Sequence, residues 1–201
     1  MMEINVPVPD GKSGDWEVST FSVTEKDVEL HNLRCMFSAG MGNRTMYPGT
    51  YKKLTRNGYL VMSNTVAEID DHRYFIHKAK GDVLINGLGL GVCVFGILEA
   101  NKKKKEKVAS ITIIEKSQDV INLVRPYLPH YADEVLGVAV VQADAFEFKP
   151  PKGKKYGAVW HDIFDDICAD NLPEMTKLKR KYGRRTEWQG CWCEALCRLH
   201  R

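Results

Sequence analysis

The sequence lacks long hydrophobic runs. Among its 201 residues, no window approaches the roughly 18 consecutive apolar residues that a membrane-spanning helix needs. The N-terminal sequence MMEINVPVPDGKSGDWEV has neither the basic segment nor the apolar segment of a secretory signal peptide. We therefore expect no membrane association and a cytoplasmic location, in which the six cysteines remain reduced thiols.

The chain also lacks a strong net charge, internal repeats and low-complexity tracts other than KKKK at 102–105. The formal net charge of +3 is too small to indicate a nucleic-acid-binding protein by itself. The lysine run follows the apolar segment GVCVFGILEA, so we expect it to lie solvated at a helix C-terminus. A second basic segment, KLKRKYGRRTEW, could follow a nucleic-acid backbone through Lys177–Arg185, with Tyr182 and Trp188 available for base stacking. The alternative is an ordinary solvated helix end.

Short β-branched segments alternate with helical segments from residue 82 onward. The predicted strands are DVLING, VASITIIEK, VLGVAVVQADAF and YGAVWHDIF, with LGVCVFGILEAN and SQDVINLVRPYL as helices between them. This alternation predicts an α/β fold with a Rossmann-like, doubly wound and mainly parallel sheet over residues 81–201. After Asp170 we expect two helices, NLPEMTKLKRKY and TEWQGCWCEALCRLH, and no further strand.

Residues 1–80 predict a small β-containing N-terminal extension that leads into this domain. WEVSTFSV and GYLVMSN are strand candidates, the second following the turn TRNG, and EKDVELHNLRCMF is a helix candidate. TVAEIDDHRYFIHKA is also predicted to be helical, with Thr65 as N-cap and Glu68 completing a capping box. An alternative for Asn64, Thr65 and Glu68 is a lid that contacts a substrate.

The segment VLINGLGLGV, Val83–Val92, ends a predicted strand with three glycines and continues as a helix. Such a turn lets the backbone approach a ligand closely and presents free N–H groups at the helix N-terminus. The spacing is G-x-G-x-G, and Val92 stands where a dinucleotide-binding motif has its third glycine, which disfavours NAD. A tight turn without a ligand is the structural alternative.

Acidic residues end the next three predicted strands. Glu115 ends the second strand and suits the two hydroxyls of a ribose. Asp144 ends the third, where it could accept from an adenine amino group beside the Ala145 N–H, and Asp162 ends the fourth. The carboxyl ends of parallel strands meet at one edge of a sheet, so these side chains should face one crevice. Solvated charges at strand ends are the alternative.

These motifs resemble those of class I S-adenosylmethionine-dependent methyltransferases, over roughly residues 82–165. The resemblance implies that Gly87, Gly89 and Gly91 hold the methionine end of S-adenosylmethionine. It implies that Glu115 holds the ribose and that Asp144 and Ala145 read the adenine. The function that it implies is methyl transfer to an acceptor that the sequence does not identify.

A narrower resemblance, upstream and in YGAVWHD, is to the spermidine-synthase-like branch of that superfamily. This branch implies an alternative, aminopropyl transfer from decarboxylated S-adenosylmethionine. The chain departs from the branch in three places: GLGLG has no acidic residue, the D-E pair is Ala67-Glu68, and DIFDDI has no proline. A catalytically silent Rossmann-like scaffold remains a further alternative.

Asp162 is the predicted catalytic residue, as acceptor ligand or general base. Strand alternation should turn its neighbour His161 to the opposite face, where a packed histidine is expected. Asn64 and Glu68 are the predicted substrate-binding residues. Trp188 and Trp192 could pack on the core or on a second subunit, as a homodimer would require.

Two clusters invite a metal interpretation, and we expect no metal at either. One is the run of carboxylates in DIFDDICAD, which is commonplace at a helix start. The other is Cys191, Cys193, Cys197 and His200, whose spacing does not match a standard zinc finger.

Overall fold

The computed structural model describes residues 4–36, 45–129 and 137–199, with the side chains of residues 30 and 34–36 outside that description. The N-terminal part is a four-stranded antiparallel sheet in the order β1-β2-β3-β4, with helix α1 between β2 and β3. These elements are β1 Gly11–Ser13, β2 Trp16–Val23, α1 Glu25–Met36, β3 Gly49–Arg56 and β4 Tyr59–Ser63. The predicted β2, α1 and β4 are confirmed, whereas β1 and β3 were not predicted.

The turn between β3 and β4 explains their tight pairing. Asn57 and Gly58 both have positive φ, at 50° and 82°. A two-residue hairpin turn with this geometry matches the twist of the strands that it joins, and Asn-Gly is its preferred sequence. The short polar strand GTYKKLTR is therefore stabilised by its partners β2 and β4 rather than by an apolar pattern of its own.

The second sheet has five parallel strands in the order β7-β6-β5-β8-β9. Its strands are β5 Gly81–Asn86, β6 Val108–Glu115, β7 Gly137–Gln142, β8 Tyr156–His161 and β9 Thr186–Cys191. The helices are α2 Val66–Lys78, α3 Val92–Asn101, α4 Gln118–Val124, α5 Leu172–Tyr182 and α6 Glu194–Leu199. This confirms the Rossmann-like α/β fold. The strand order reverses between β5 and β8, where open α/β sheets bind their ligands.

The prediction of no strand after Asp170 is wrong, because β9 occupies the first part of the segment predicted as a second C-terminal helix. Of TEWQGCWCEALCRLH, the first six residues form β9, and helix α6 covers only Glu194–Leu199. Trp188 on β9 stacks on Trp160 of β8 and on Phe75 of α2, with ring centroids 6.2 and 6.1 Å apart. This packing, which involves segments distant in sequence, stabilises the edge strand.

Side chains that alternate along the central strand pack on opposite faces of the sheet. Val83 and Ile85 of β5 join the main hydrophobic core, which also contains residues of α2, α3 and the N-terminal sheet. Leu84 belongs to a smaller cluster on the other face, with Ile114 and with Tyr182 of α5. The helices therefore cover both faces, and one continuous core joins the two sheets. The division at residues 80 and 81 into two domains stays a prediction. None of the described helices is long and apolar enough to cross a membrane.

Candidate functional site

The glycine segment lies where the central strand β5 meets helix α3. Gly87, Gly89 and Gly91 have φ values of 99°, 50° and 76°, a region that other residues rarely adopt. A Cβ atom on Gly87 would overlap the backbone carbonyl of Asp162, and one on Gly89 would overlap the sulfur of Met62. Glycine at these two positions therefore allows the ends of β5 and β8, and strand β4, to approach the loop.

Glu115 connects the end of β6 to the glycine loop. One carboxylate oxygen accepts a hydrogen bond from the Leu88 N–H at 2.9 Å, and the other accepts from the Ser117 N–H at 2.7 Å. Each carboxylate oxygen has a second lone pair, so both can still accept from a ligand hydroxyl. The carboxylate is thus held in place by backbone donors on both sides and lines the cavity described below.

Asp144 and Ala145 follow β7 at the same edge of the sheet. Asp144 accepts from the Phe146 N–H at 2.8 Å and pairs with Lys116 at 3.0 Å. The pairing with Lys116 is the main reason that the pKa of Asp144 lies below its ordinary value. Because Lys116 is 80% exposed, this ion pair is worth little and a ligand can displace it. Ala145 is buried and also lines the cavity.

A single cavity of about 750 Å³ brings these strand ends together. That volume lies within the usual range for small-molecule sites. Trp16 and Arg56 of the N-terminal sheet also line it, as does Trp192 after β9. Acidic side chains outnumber the two cationic ones, Arg56 and Lys116. The carboxylates that line the cavity are those of Asp15, Glu68, Glu115, Asp119, Asp144, Asp162, Asp165 and Glu174.

Asp162 lies one residue beyond β8, and its backbone N–H donates to the Asn86 carbonyl at 2.8 Å. Burial, together with the nearby carboxylates of Glu68, Asp71 and Glu115, raises the pKa of its carboxyl to about 8. Its Oδ2 lies 3.8 Å from Nε2 of His72. The predicted catalytic residue is therefore at the cavity, in an environment that disfavours its negative charge.

His161 is fully buried on the opposite side of β8, as strand alternation predicted. Its Nδ1 lies 2.8 Å from the Asn86 side-chain amide and its Nε2 lies 3.4 Å from Oε1 of Gln189. Because the amide nitrogen donates to Nδ1, the ring carries its proton on Nε2. Burial lowers the pKa of His161 to about 4, so the ring is neutral at physiological pH. His161 is a packing residue.

The two predicted substrate-binding residues have different positions. Asn64 is bonded to Lys52 of β3 through both its side chain and its backbone, and it is not among the described residues that line the cavity. Glu68 is buried and does line the cavity. Thr65 is the N-cap of α2 but makes no side-chain cap bond, and Glu68 accepts instead from Ser63. The predicted capping box is therefore wrong.

The two aromatic residues near the basic segment differ in exposure. Tyr182 is fully buried, whereas Trp188 is only partly buried and stacks on Trp160 and Phe75. The prediction that Tyr182 is available for base stacking is therefore wrong, and for Trp188 it stays a prediction. Trp192 is also buried against the core. A homodimer stays a prediction.

Sequence reasoning missed three residues beside Asp162. His72 lies one helical turn after Glu68, so the i, i+4 spacing on α2 could have placed it on the same face. Met62 on β4 accepts a hydrogen bond from the Leu90 N–H through its sulfur at 3.0 Å. Cys93 is buried at the start of α3, and burial, followed by the charge of Asp162, raises the pKa of its thiol well above the ordinary value. No sequence pattern indicates that Met62 or Cys93 approaches the cavity.

No family model and no curated protein matches this chain. Several solved structures resemble it at low sequence identity. MNMC2 from Aquifex aeolicus is 24% identical with a TM-score of 0.43, over 68% of this chain and 55% of that one. An S-adenosylmethionine-dependent methyltransferase from Clostridium acetobutylicum is 10% identical with a TM-score of 0.39, over 60% and 45%.

A third structure, the plantazolicin methyltransferase BpumL in complex with SAH, is 14% identical with a TM-score of 0.37, over 60% of this chain and 40% of that one. The chain spans about half the length of the solved structures that it resembles. At such low similarity, the chemistry of the site rests on its own residues.

Proposed function

We propose that the protein is an S-adenosylmethionine-dependent methyltransferase. The observation that carries the proposal is the meeting of three consecutive strand ends at one cavity: the glycine loop after β5, Glu115 on β6 and Asp144 after β7. The direct bond from the Leu88 N–H to Glu115 links the first two of these groups before any ligand binds. Preorganised polar groups of this kind lower the entropy lost on binding.

The residues fit the parts of this cofactor. Glu115 would hold the ribose hydroxyls, and Asp144 would accept from the adenine amino group once Lys116 moves aside. The close approach allowed by Gly87 and Gly89 would admit the methionine end. The excess of carboxylates around the cavity favours a cationic ligand, and the sulfonium of S-adenosylmethionine is cationic.

When bound, S-adenosylmethionine supplies an electrophilic methyl group on sulfur. Transfer of that group needs mainly alignment of the acceptor with the carbon–sulfur bond, so positioning supplies most of the catalysis. Asp162 after β8 and His72 on α2 line the cavity together with the glycine loop and would orient the acceptor there. Trp16 and Arg56 from the N-terminal sheet would limit access of water to this part of the cavity.

Calorimetric titration tests this function. The purified protein would be titrated with S-adenosylmethionine, with its demethylated product and with decarboxylated S-adenosylmethionine. We expect micromolar binding of the first two, at least about tenfold weaker binding in Asp144→Asn because a charged hydrogen bond contributes about 1.5–3 kcal/mol, and loss of binding in Glu115→Ala. Asp165→Asn, which changes an exposed carboxylate at the same cavity, serves as the matched control.

Each other outcome has a clear meaning. A preference for the decarboxylated compound would replace methyl transfer by aminopropyl transfer. Absence of binding for all three compounds, in protein shown to be folded by circular dichroism, would contradict both activities and leave a scaffold.

A further inference from the structure

Three potential metal ligands from three different elements meet beside the cavity. They are His72 on α2, Cys93 on α3 and Asp162 after β8, and their ligand atoms all lie within 4.8 Å of one another. His72 is 1% exposed and Cys93 is 6% exposed, while the Asp162 side chain is 19% exposed. Among residues 4–36, 45–129 and 137–199, no other group of three described His, Cys, Asp or Glu side chains brings its ligand atoms this close together.

The donor set distinguishes between classes of ion. A nitrogen, a sulfur and an oxygen donor together suit Zn²⁺ and its neighbours in the first transition series, whereas Mg²⁺ and Ca²⁺ prefer sites made of oxygen alone. Zinc bonds of about 2.0–2.3 Å in a tetrahedral site place its donors roughly 3.3–3.8 Å apart. The His72–Asp162 distance of 3.8 Å is close to this range. All three ligand atoms lie within 4.8 Å of one another, so a wider pair would have to approach by at most about 1 Å to bind Zn²⁺.

Asp162 links the other two donors, because it lines two separate spaces. A small void of about 10 Å³, close to the volume that a single water molecule requires, is lined by Cys93 and Asp162 but not by His72. The large cavity is lined by His72 and Asp162. An ion held by the three side chains would therefore have one coordination position open to the cavity, as catalytic zinc sites do and structural sites do not.

The surrounding charge also favours a cation. Glu68 and Glu115 line the same cavity as Asp162, together with five further carboxylates and only two cationic side chains. This excess of negative charge attracts a divalent cation to the part of the cavity where Asp162 lies.

We propose that His72, Cys93 and Asp162 bind a divalent transition-metal ion of the Zn²⁺ type at the base of the cavity. Its open position would take an oxygen, nitrogen or sulfur atom of the acceptor molecule, and coordination would favour the deprotonated form of that atom. The metal site itself does not depend on the proposed methyl transfer, because it can be measured with no cofactor present.

The test uses Co²⁺ as a spectroscopic substitute for Zn²⁺. The full chain, stripped of metal by a chelator, would be titrated with Co²⁺ and followed by visible and near-ultraviolet absorption. We expect one equivalent to give the bands of a tetrahedral ion together with a thiolate-to-cobalt charge-transfer band, and Zn²⁺ to abolish both by displacement. Mg²⁺ in excess should leave the spectrum unchanged.

Variants identify the ligands. Cys93→Ser should lose the charge-transfer band, whereas Cys191→Ser, which changes another buried thiol, should keep it. Asp162→Asn alters a partly exposed ligand, so the fold should tolerate it, and we expect metal affinity at least about tenfold lower. Circular dichroism would establish that each variant is folded.

Three results would overturn the proposal: no thiolate band in the unmodified chain, a band that survives in folded Cys93→Ser but disappears in Cys191→Ser, or unchanged affinity in Asp162→Asn. The second result would place the metal at the C-terminal cysteines. Because S-adenosylmethionine titration is a separate measurement, failure of the metal site and failure of methyl transfer would be told apart.

Discussion

Gly87 shows at the scale of a single residue how closely two strand ends approach each other at the cavity. Its φ of 99° lies in the region that favours glycine, and a Cβ atom would overlap the Asp162 carbonyl. The obstacle is backbone, so no side-chain movement can relieve it. Gly153 has a similar φ of 80°, but no atom lies within 4 Å of the position that a Cβ would take. Replacing Gly153 by alanine therefore measures only the energetic cost of the positive φ, without any steric overlap.

We expect Gly87→Ala to lower the free energy of unfolding by at least about 2 kcal/mol more than Gly153→Ala, whose cost should be about 1–2 kcal/mol. Urea denaturation of the two variants and the unmodified protein measures both values. Equal losses would mean that the overlap with Asp162 is absent in solution.

At the scale of an element, Lys104, which follows helix α3, caps the C-terminal end of helix α2. Its ammonium donates to the carbonyls of Ile76 and Ala79 at 2.5 and 2.6 Å, in the last turn of α2 and just after it. These are among the carbonyl groups that a helix C-terminus leaves without partners. Burial lowers the pKa of Lys104. The prediction that the whole KKKK run is solvated is therefore wrong at this one position.

Replacing Lys104 by Met should lower the free energy of unfolding by about 1–3 kcal/mol, since it leaves buried carbonyls without a donor. Lys103→Met, in the same run but exposed, should change it by less than about 0.5 kcal/mol. Thermal or urea unfolding would compare the two. A similar effect for both lysines would contradict the specific role of Lys104.

At the scale of the whole molecule, the tertiary structure brings together two basic segments. Residues 153–155, the end of α5 and the turn after it border a groove of about 600 Å³ at the amino ends of β8 and β9, the edge of the sheet away from the cavity. Lys155 donates to the Arg184 carbonyl at 2.5 Å, which fixes the two segments together. The residues that line this groove are Gly153, Lys154, Lys155, Arg180, Lys181, Arg184 and Arg185.

Neither Tyr182 nor Trp188 is among the described residues that line this groove, so it offers positive charge but no aromatic ring for base stacking. We expect it to bind the phosphate backbone of a nucleic-acid duplex without sequence preference, and with a strong dependence on salt. Arg180→Glu combined with Arg184→Glu should weaken binding of a labelled duplex and reduce the salt slope by about 2, one for each phosphate contact. Fluorescence anisotropy at several salt concentrations measures both.

Lys102→Glu combined with Lys103→Glu makes the same change of charge elsewhere and should have a smaller effect. Equal effects of the two double variants would show that only net charge matters. Unchanged S-adenosylmethionine affinity in both would separate this surface from the cavity.

The alternation of β-branched and helical segments was enough to predict the parallel sheet, because each buried strand and amphipathic helix carries its own local pattern. The positions of Glu115, Asp144 and Asp162 at one cavity followed from the same pattern, since parallel strands end at one edge of the sheet. Strand β9 could not be predicted in this way. Its residues, which include a glycine between two tryptophan rings, form a strand through pairing with β8 and through contacts with Trp160 and Phe75.

The sequence by itself determined the Rossmann-like fold, the glycine turn and the acidic strand ends, because each depends on residues that are neighbours in the chain. Only the tertiary structure decided that Glu68 bonds to Ser63 instead of capping its helix, and that His72 and Cys93 lie beside Asp162. These contacts join residues of separate helices and strands. Their distances depend on how the elements pack, and local sequence patterns carry no information about that packing.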